Sequence, residues 1–170
     1  LGNVLQSLGR IPEARAELER AIALATTSLG AGHGAVGQLQ YALAITHIDD
    51  DPERALGLAT AALAVYEREL PEGNPWRAQP LELLAQIHTD RNEPARALPY
   101  RQQALQLRRN AGPRPLAQAH LELAAVLEAL ARHDEARGHL LLAEALIAEM
   151  DPKPAELIAF IDSLKTTPQR

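Results

Sequence analysis

Apolar residues recur along the chain at the spacing of amphipathic helices, and this helical pattern is itself repeated. One alanine returns in steps of 41, 42 and 39 residues, at Ala14, Ala55, Ala97 and Ala136. A second alanine follows seven residues later in each copy, at Ala21, Ala62, Ala104 and Ala143. An aliphatic residue precedes the first alanine by ten positions in each copy, at Val4, Ile45, Ile87 and Val126. Columns that stay aligned through four copies indicate an internal structural repeat.

Each copy predicts two helices joined by a short turn. In the first copy, one apolar face precedes Gly9 and a second apolar stripe runs from Ala14 to Ala25. A proline opens three of the second helices, at Pro12, Pro52 and Pro94, where its missing N–H removes no helical hydrogen bond. Asp51 stands directly before one of these prolines and is a candidate N-cap. Pro99 falls inside a second helix and predicts either a kink or a late helix start.

These helix pairs must stack, because no single pair can bury its own apolar stripe. The alanine columns suit stacking, since a methyl group lets two helix axes approach closely. The predicted fold is all-α, a right-handed α-solenoid of antiparallel helix pairs. We expect the pairs over residues 1–30, 35–70, 76–110 and 115–150, then a capping helix over 151–166 and a tail over 167–170. The alternative for the last helix is the first helix of a further repeat.

The repeat also resembles a known family. The segments LGNVLQSLG and EARAELERAIAL resemble the tetratricopeptide repeat, which places a Leu-Gly and a pre-turn Gly in its first helix and two Ala in its second. The later copies depart from it at both glycines: Leu43, Ala85 and Ala124 replace Gly2, and Asp50, Asn92 and Ala131 replace Gly9. The repeat length resembles the kinesin-light-chain-like variety. This resemblance covers about residues 1–150 and implies a general scaffold for protein–protein contacts.

The same alignment places Leu1 inside a first helix, so we expect the chain to be a piece of a longer protein. Its Ala, Leu and Arg content, with only Lys153 and Lys165 as lysines, is typical of high-GC bacterial coding. One alternative function is therefore a regulatory or substrate-recruiting C-terminal tail of a bacterial multidomain signalling enzyme, such as a serine/threonine kinase. Another is that these copies only extend a solenoid whose binding site lies upstream.

Composition narrows the function further. The formal net charge is −5 and aromatic residues make up 3% of the chain, so neither a basic stripe nor a stacking platform for nucleic acid is present in the sequence. The absence of cysteine excludes disulfides, thiolate catalysis and Cys-type zinc sites. No apolar run approaches the roughly 20 residues of a membrane span. We expect a cytoplasmic protein that inserts into no membrane and binds no nucleic acid.

The sequence also offers few candidates for chemistry. None of its six histidines has a second histidine four residues away with an acidic partner, so we expect solvated or capping histidines and no metal. His33 stands just before a helix and is expected to organise its loop. The run Asp49–Asp51 lacks the spacing and the Gly of a calcium loop, which favours helix capping. With no catalytic motif, we predict no catalytic residues, no cofactor and no enzyme activity in this segment.

The tetratricopeptide resemblance implies a concave groove lined by the first helices of the pairs. Transferred to this sequence, the candidate groove residues are Asn3, Tyr41, His47, Glu82, Gln86, Asp90, Glu122 and Glu128. No Arg or Lys occupies these positions, which argues against a clamp for a C-terminal carboxylate. A groove that leans acidic, with Tyr41 as its aromatic anchor, predicts a neutral or basic peptide ligand.

Overall fold

The computed structural model describes residues 10–166, and every regular element within them is helical. The α-helices are α1 (Ile11–Leu29), α2 (Gly34–His47), α3 (Pro52–Glu69), α4 (Ala78–Asp90), α5 (Pro94–Arg108), α6 (Pro113–Ala129), α7 (His133–Ala148) and α8 (Ala155–Thr166). A short 3₁₀ helix, Pro75–Arg77, precedes α4. The predicted all-α helical-repeat fold is confirmed. Asn3 and the helix expected before Gly9 lie outside the described residues.

The helix starts follow the local chemistry of the sequence. Pro12, Pro52 and Pro94 stand in the first turns of α1, α3 and α5. The Asp51 carboxylate accepts a hydrogen bond from the backbone N–H of Arg54 at 3.1 Å, which confirms the predicted N-cap. His33 caps α2 in the same way, its Nδ1 accepting from the N–H of Ala35 at 3.2 Å. Because α5 begins at Pro94 and contains Pro99, the late start considered for this helix is absent.

Two of the helices that come first in their pair are followed by a residue with positive φ that is not glycine. Asn92 after α4 and Ala131 after α6 both have φ of 57°. Around Ala131, the N–H of Arg132 donates to the carbonyl of Leu127, and that of Ala131 to Glu128, both at 2.9 Å. This pair of bonds is the Schellman motif, which normally places Gly at the left-handed position. The turn geometry of the repeat is therefore kept even where the sequence supplies a residue strained by it.

The chain divides into two units, residues 1–87 and 88–170, and the first packs as the alanine columns predict. In unit 1, α2 packs against both α1 and α3. Ala14, Ala55 and Ala62 are fully buried between helices, whereas Ala21 is half-buried. Gly37 marks the closest approach of α2 to α3, because a Cβ built there would lie 2.9 Å from a Val65 methyl carbon.

Unit 2 repeats the same packing. Here α6 packs against α5 and α7, and α8 lies on α6 and α7. Its column alanines are all buried, at Ala97, Ala104, Ala136 and Ala143. From α8, Leu157 and Ile161 enter a core cluster with Leu121 and Ile147. This packing covers apolar side chains of the last pair, as a capping helix or the first helix of a further repeat would, so the capping role stays a prediction.

Between residues 10 and 166, no helix combines the length and apolar character needed to span a bilayer.

Candidate functional site

An aromatic pocket opens on the surface of unit 1, with a volume of about 320 Å³. Its walls come from α2, α3, the 3₁₀ helix and the start of α4, and they are Gln38, Tyr41, Ala42, Ile45, Tyr66, Trp76 and Gln79. None of these side chains carries a charge at neutral pH. The resulting surface combines aromatic rings, an aliphatic side chain and two amides, which is typical of a site that accepts one apolar side chain together with polar backbone. We call this set of residues the aromatic pocket.

Trp76 stands out on this surface because it is 56% exposed. Among the Phe, Trp and Tyr residues in the part of the chain that the structure describes, it is the only exposed one. The ring sits on the 3₁₀ helix, whose N-cap is Asn74: the Asn74 side-chain oxygen accepts from the Trp76 N–H at 2.9 Å. Contact with water does not stabilise a large apolar ring. A ring that is already held on an ordered turn also loses little conformational entropy when a partner covers it. Such a residue is a strong candidate for a binding hot spot.

The two tyrosines of the pocket differ in burial. Tyr66 is buried beneath the surface, and its ring edge lies 3.0 Å from where a Gly37 Cβ would stand. Burial raises the pKa of the Tyr66 hydroxyl, and the neighbouring Tyr41 raises it further. Tyr41 is half-buried, so part of its ring remains available to a ligand. Tyr66 therefore forms the floor of the pocket, while Tyr41 and Trp76 form its contact surface.

Gln38 and Gln79 supply the polar groups of the aromatic pocket. Gln38 is exposed on α2 and Gln79 is half-buried near the start of α4. A primary amide both donates and accepts hydrogen bonds, so each can pair with the N–H or the carbonyl of an extended peptide. The pocket therefore offers backbone recognition without fixing the charge of the ligand.

The remaining predicted groove residues lie in different environments. On α4, Glu82 is half-buried, and Gln86 and Asp90 are exposed. His47 is only 7% exposed, so its ring lies beneath the surface. The expectation that the histidines are solvated or capping is wrong for His47, and also for His88, which is buried, hydrogen-bonded to Glu93 at 2.8 Å and stacked on Tyr100.

His47 lies near a charged pair at the end of α2. Neither of its ring nitrogens has a hydrogen-bond partner among the described residues, and its Nδ1 is 3.8 Å from an Asp50 carboxylate oxygen. That carboxylate is engaged by the Arg15 guanidinium, with an N–O distance of 2.7 Å, and this bond lowers the pKa of Asp50. Burial, reinforced by Arg15, lowers the pKa of His47. His47 is consequently kept neutral at physiological pH.

The two predicted groove carboxylates of α6 are already paired within unit 2. Glu122 accepts hydrogen bonds from Arg101 and, at 2.9 Å, from the Gln118 amide. Arg101 comes from the second helix α5 and is only 6% exposed. Glu128 is bonded to His133, with an O–Nδ1 distance of 2.6 Å. These internal partners reduce the negative electrostatic potential that, from the sequence, the groove was expected to present to a peptide ligand.

Trp76 is the residue that sequence reasoning missed. Its signal is a lone tryptophan in the Pro- and Gly-rich segment PEGNPWR, outside every apolar helical face. An aromatic residue that fits no core stripe has no packing reason to be there, which makes it a candidate contact residue.

The fold and the pocket together define a helical-repeat protein with a neutral aromatic surface site. Residues 1–68 match the family described as tetratricopeptide repeat. The resemblance stated from the sequence is thus confirmed over residues 1–68, and similar solved structures include kinesin-light-chain-like repeat proteins.

Three solved structures illustrate this likeness of fold. BtubC (BKLC) from P. vanneervenii is 23% identical with a TM-score of 0.84 over 89% of this chain, and this chain spans 62% of its length. A structure of a Podosopora anserina protein, described as a kinesin light chain with nearly identical TPR-like repeats, is 18% identical with a TM-score of 0.79, covering 100% of this chain and 94% of that one. A structure of a singly substituted form, under the same description, is 17% identical with a TM-score of 0.78, covering 97% of this chain and 90% of that one. No curated protein matches the sequence.

Proposed function

We propose that the chain is a non-catalytic scaffold that binds a peptide segment of a protein partner at the aromatic pocket of unit 1. Tetratricopeptide repeats are generally scaffolds for protein–protein interaction, and the fold agrees with that role. The observation that carries the proposal is Trp76, 56% exposed beside the half-buried Tyr41. Aromatic side chains of this kind contribute most of the binding free energy at protein interfaces.

The composition of the pocket favours a neutral ligand segment. Its walls carry no ionic group, and the predicted acidic positions Glu122 and Glu128 have partners within unit 2. An apolar or aromatic side chain of the ligand would lie between Trp76 and Tyr41. The amides of Gln38 and Gln79 would then bond to the ligand backbone on either side.

The test is a selection from a displayed library of random peptides, followed by titration of the selected peptides. Trp76 is the only tryptophan of the chain, so its fluorescence reports directly on this pocket. We expect selected peptides to share one apolar or aromatic position and to shift the Trp76 emission to shorter wavelength. Trp76→Ala or Tyr41→Ala should then weaken binding about 30-fold or more, the loss expected for a hot spot of about 2 kcal/mol.

The matched control is Leu24→Ala, which removes an exposed apolar side chain of unit 1 that does not line the pocket. This control should bind with unchanged affinity. A selection that enriches no peptide, or peptides that bind the Trp76→Ala protein as well as the original, would contradict the proposal.

The role of a larger parent protein is a separate proposal. If the chain is a regulatory or recruiting tail of a signalling enzyme, the peptide bound at this pocket would belong to that enzyme's substrate or to its own catalytic domain. Reading the gene upstream of Leu1 for kinase motifs distinguishes this role from that of a free-standing scaffold.

A further inference from the structure

A second cavity lies in unit 2, independent of the aromatic pocket. Its volume is about 620 Å³, and α5, α6 and α7 contribute its walls. Leucines form its apolar part, while glutamines of α5 and the side chain of Arg109 line the polar part. Two histidines from different helices, His120 of α6 and His139 of α7, complete the wall.

The two imidazoles face each other through the same ring atom. The Nδ1 atoms of His120 and His139 are 2.8 Å apart, and the ring centroids are 5.1 Å apart with planes tilted by 33°. Both rings are half-buried. Two neutral rings satisfy this geometry if one Nδ1 donates and the other accepts. If both rings instead carry their proton on Nε2, two lone pairs converge on one point.

We propose that His120 and His139 bind a divalent transition-metal ion of the imidazole-preferring class, such as Zn²⁺ or Cu²⁺, through their Nδ1 atoms. Neutral imidazole nitrogen is the ligand that these ions favour. With Zn–N bonds of about 2.0–2.1 Å, two nitrogens of a tetrahedral site lie about 3.3 Å apart. The rings therefore need to separate by only about half an ångström from their present distance.

Charged groups lie on both sides of the pair. Burial lowers the pKa of both histidines, and His139 and Arg109 lower that of His120 further, whereas Glu135 raises that of His139. No third His, Cys, Asp or Glu of the described residues joins them in a ligand cluster. The protein thus supplies two ligands, and water or a side chain of a partner fills the open positions on the cavity side.

The experiment is a calorimetric titration of the whole chain with Zn²⁺ and with Cu²⁺, using Mg²⁺ as the oxygen-preferring control ion. We expect one equivalent of Zn²⁺ or Cu²⁺ to bind saturably, with Cu²⁺ tighter, and Mg²⁺ not to bind. The His120→Gln and His139→Gln proteins should each lose about tenfold or more in affinity. The matched control is His33→Gln with His133→Gln, which removes two histidines that lie outside the cavity and should leave the affinity unchanged.

A second measurement keeps the idea testable if a glutamine variant folds poorly. Nitrogen NMR of the histidine rings in the original chain should show Zn²⁺ shifting the Nδ1 signals of His120 and His139 and leaving that of His33 in place. At a concentration one hundredfold above its Kd, the ion should also raise the folding equilibrium constant about one hundredfold. Absence of saturable binding, or binding that the His120→Gln protein retains, would overturn the proposal. Neither result bears on peptide binding at the aromatic pocket, which lies in unit 1.

Discussion

Units 1 and 2 pack their helices in the same way but carry different side chains outside the alanine columns. Both bury most of their column alanines, such as Ala55 in unit 1 and Ala97 in unit 2. Unit 1 exposes Trp76 beside an uncharged pocket. Both units bury polar side chains, but the ones they bury differ: unit 1 buries His47, whereas unit 2 buries Arg101 against Glu122 and pairs two histidines beside a cavity. A repeat pattern therefore specifies how helices pack, while the positions outside the alanine columns decide what each copy can bind.

A single repeat position shows how this divergence arises. The residue that follows the aliphatic column near the end of the first helix is Thr46, His88 or Leu127. The Thr46 hydroxyl donates to the Leu43 carbonyl at 2.7 Å, and His88 bonds to Glu93 at 2.8 Å. Leu127 joins the apolar core of unit 2. All three are buried, because each side chain has a suitable partner within the same helix packing: a backbone carbonyl, a carboxylate or apolar side chains.

The largest effect should follow from disturbing the inward charge of unit 2. Glu122→Lys places a second cation against the buried Arg101, and we expect it to lower the free energy of unfolding by about 3–5 kcal/mol. Urea denaturation followed by circular dichroism measures this change. Glu149→Lys, a charge reversal at an exposed site of the same unit, should stay within about 0.5 kcal/mol of the original. A loss below about 1 kcal/mol for Glu122→Lys would mean that the pair contributes little.

The next effect concerns the close contact in unit 1. Gly37→Ala puts a methyl carbon within 3.0 Å of Val65 and Tyr66, so overpacking should cost about 1–3 kcal/mol despite the better helix propensity of Ala. Gly57→Ala is the matched control, because nothing lies within 4 Å of the added carbon. That control should gain about 0.5–1 kcal/mol. Equal signs for the two variants in thermal denaturation would contradict the close approach of α2 to α3.

A smaller effect of opposite sign is expected at the left-handed turn of unit 2. Ala131→Gly relieves a backbone conformation that costs an L-residue about 1–2 kcal/mol, so we expect a net gain of about 1 kcal/mol. Ala145→Gly, in the exposed interior of α7, should instead lose about 1 kcal/mol. Denaturation midpoints of the two proteins measure both changes. A loss of stability in Ala131→Gly would show that the Schellman turn is not strained by its alanine.

The smallest effect should be the pH dependence contributed by His47. Burial, then Arg15, lowers its pKa in the folded state, while Asp50 partly opposes the shift. The unfolded chain therefore binds the proton more readily, and the stability contributed by the neutral ring is complete above about pH 6.5 and is lost as the pH falls toward the folded-state pKa. Histidine titrates roughly between pH 7 and pH 5, and over that range the original chain should lose more stability than His47→Gln. Equal slopes for His47→Gln and the original would contradict the assignment.

The sequence predicts how the helices begin and pack because the signals for both act over short distances along the chain. Alanine at helical spacing, proline in a first turn and Asp51 at an N-cap each act within one helix or one pair, and each is found as predicted. The partners of charged side chains are less accessible to this reasoning. Arg101 and Glu122 are 21 residues apart, and His120 and His139 are 19 apart, so neither pair shares a helix. Which residues meet there depends on how one helix is rotated against the next, a quantity that spacing along the chain does not contain.

The most direct test of the central proposal, that unit 1 carries the peptide site, is amide NMR mapping with a selected peptide. The proposal predicts that the largest chemical-shift changes fall on Tyr41, Ile45 and Gln79 and on the indole N–H of Trp76, with saturation at one peptide per chain. Signals of unit 2, including His120 and Leu142, should remain in place. Changes centred on the unit 2 cavity, with the Trp76 indole unmoved at saturating peptide, would contradict it.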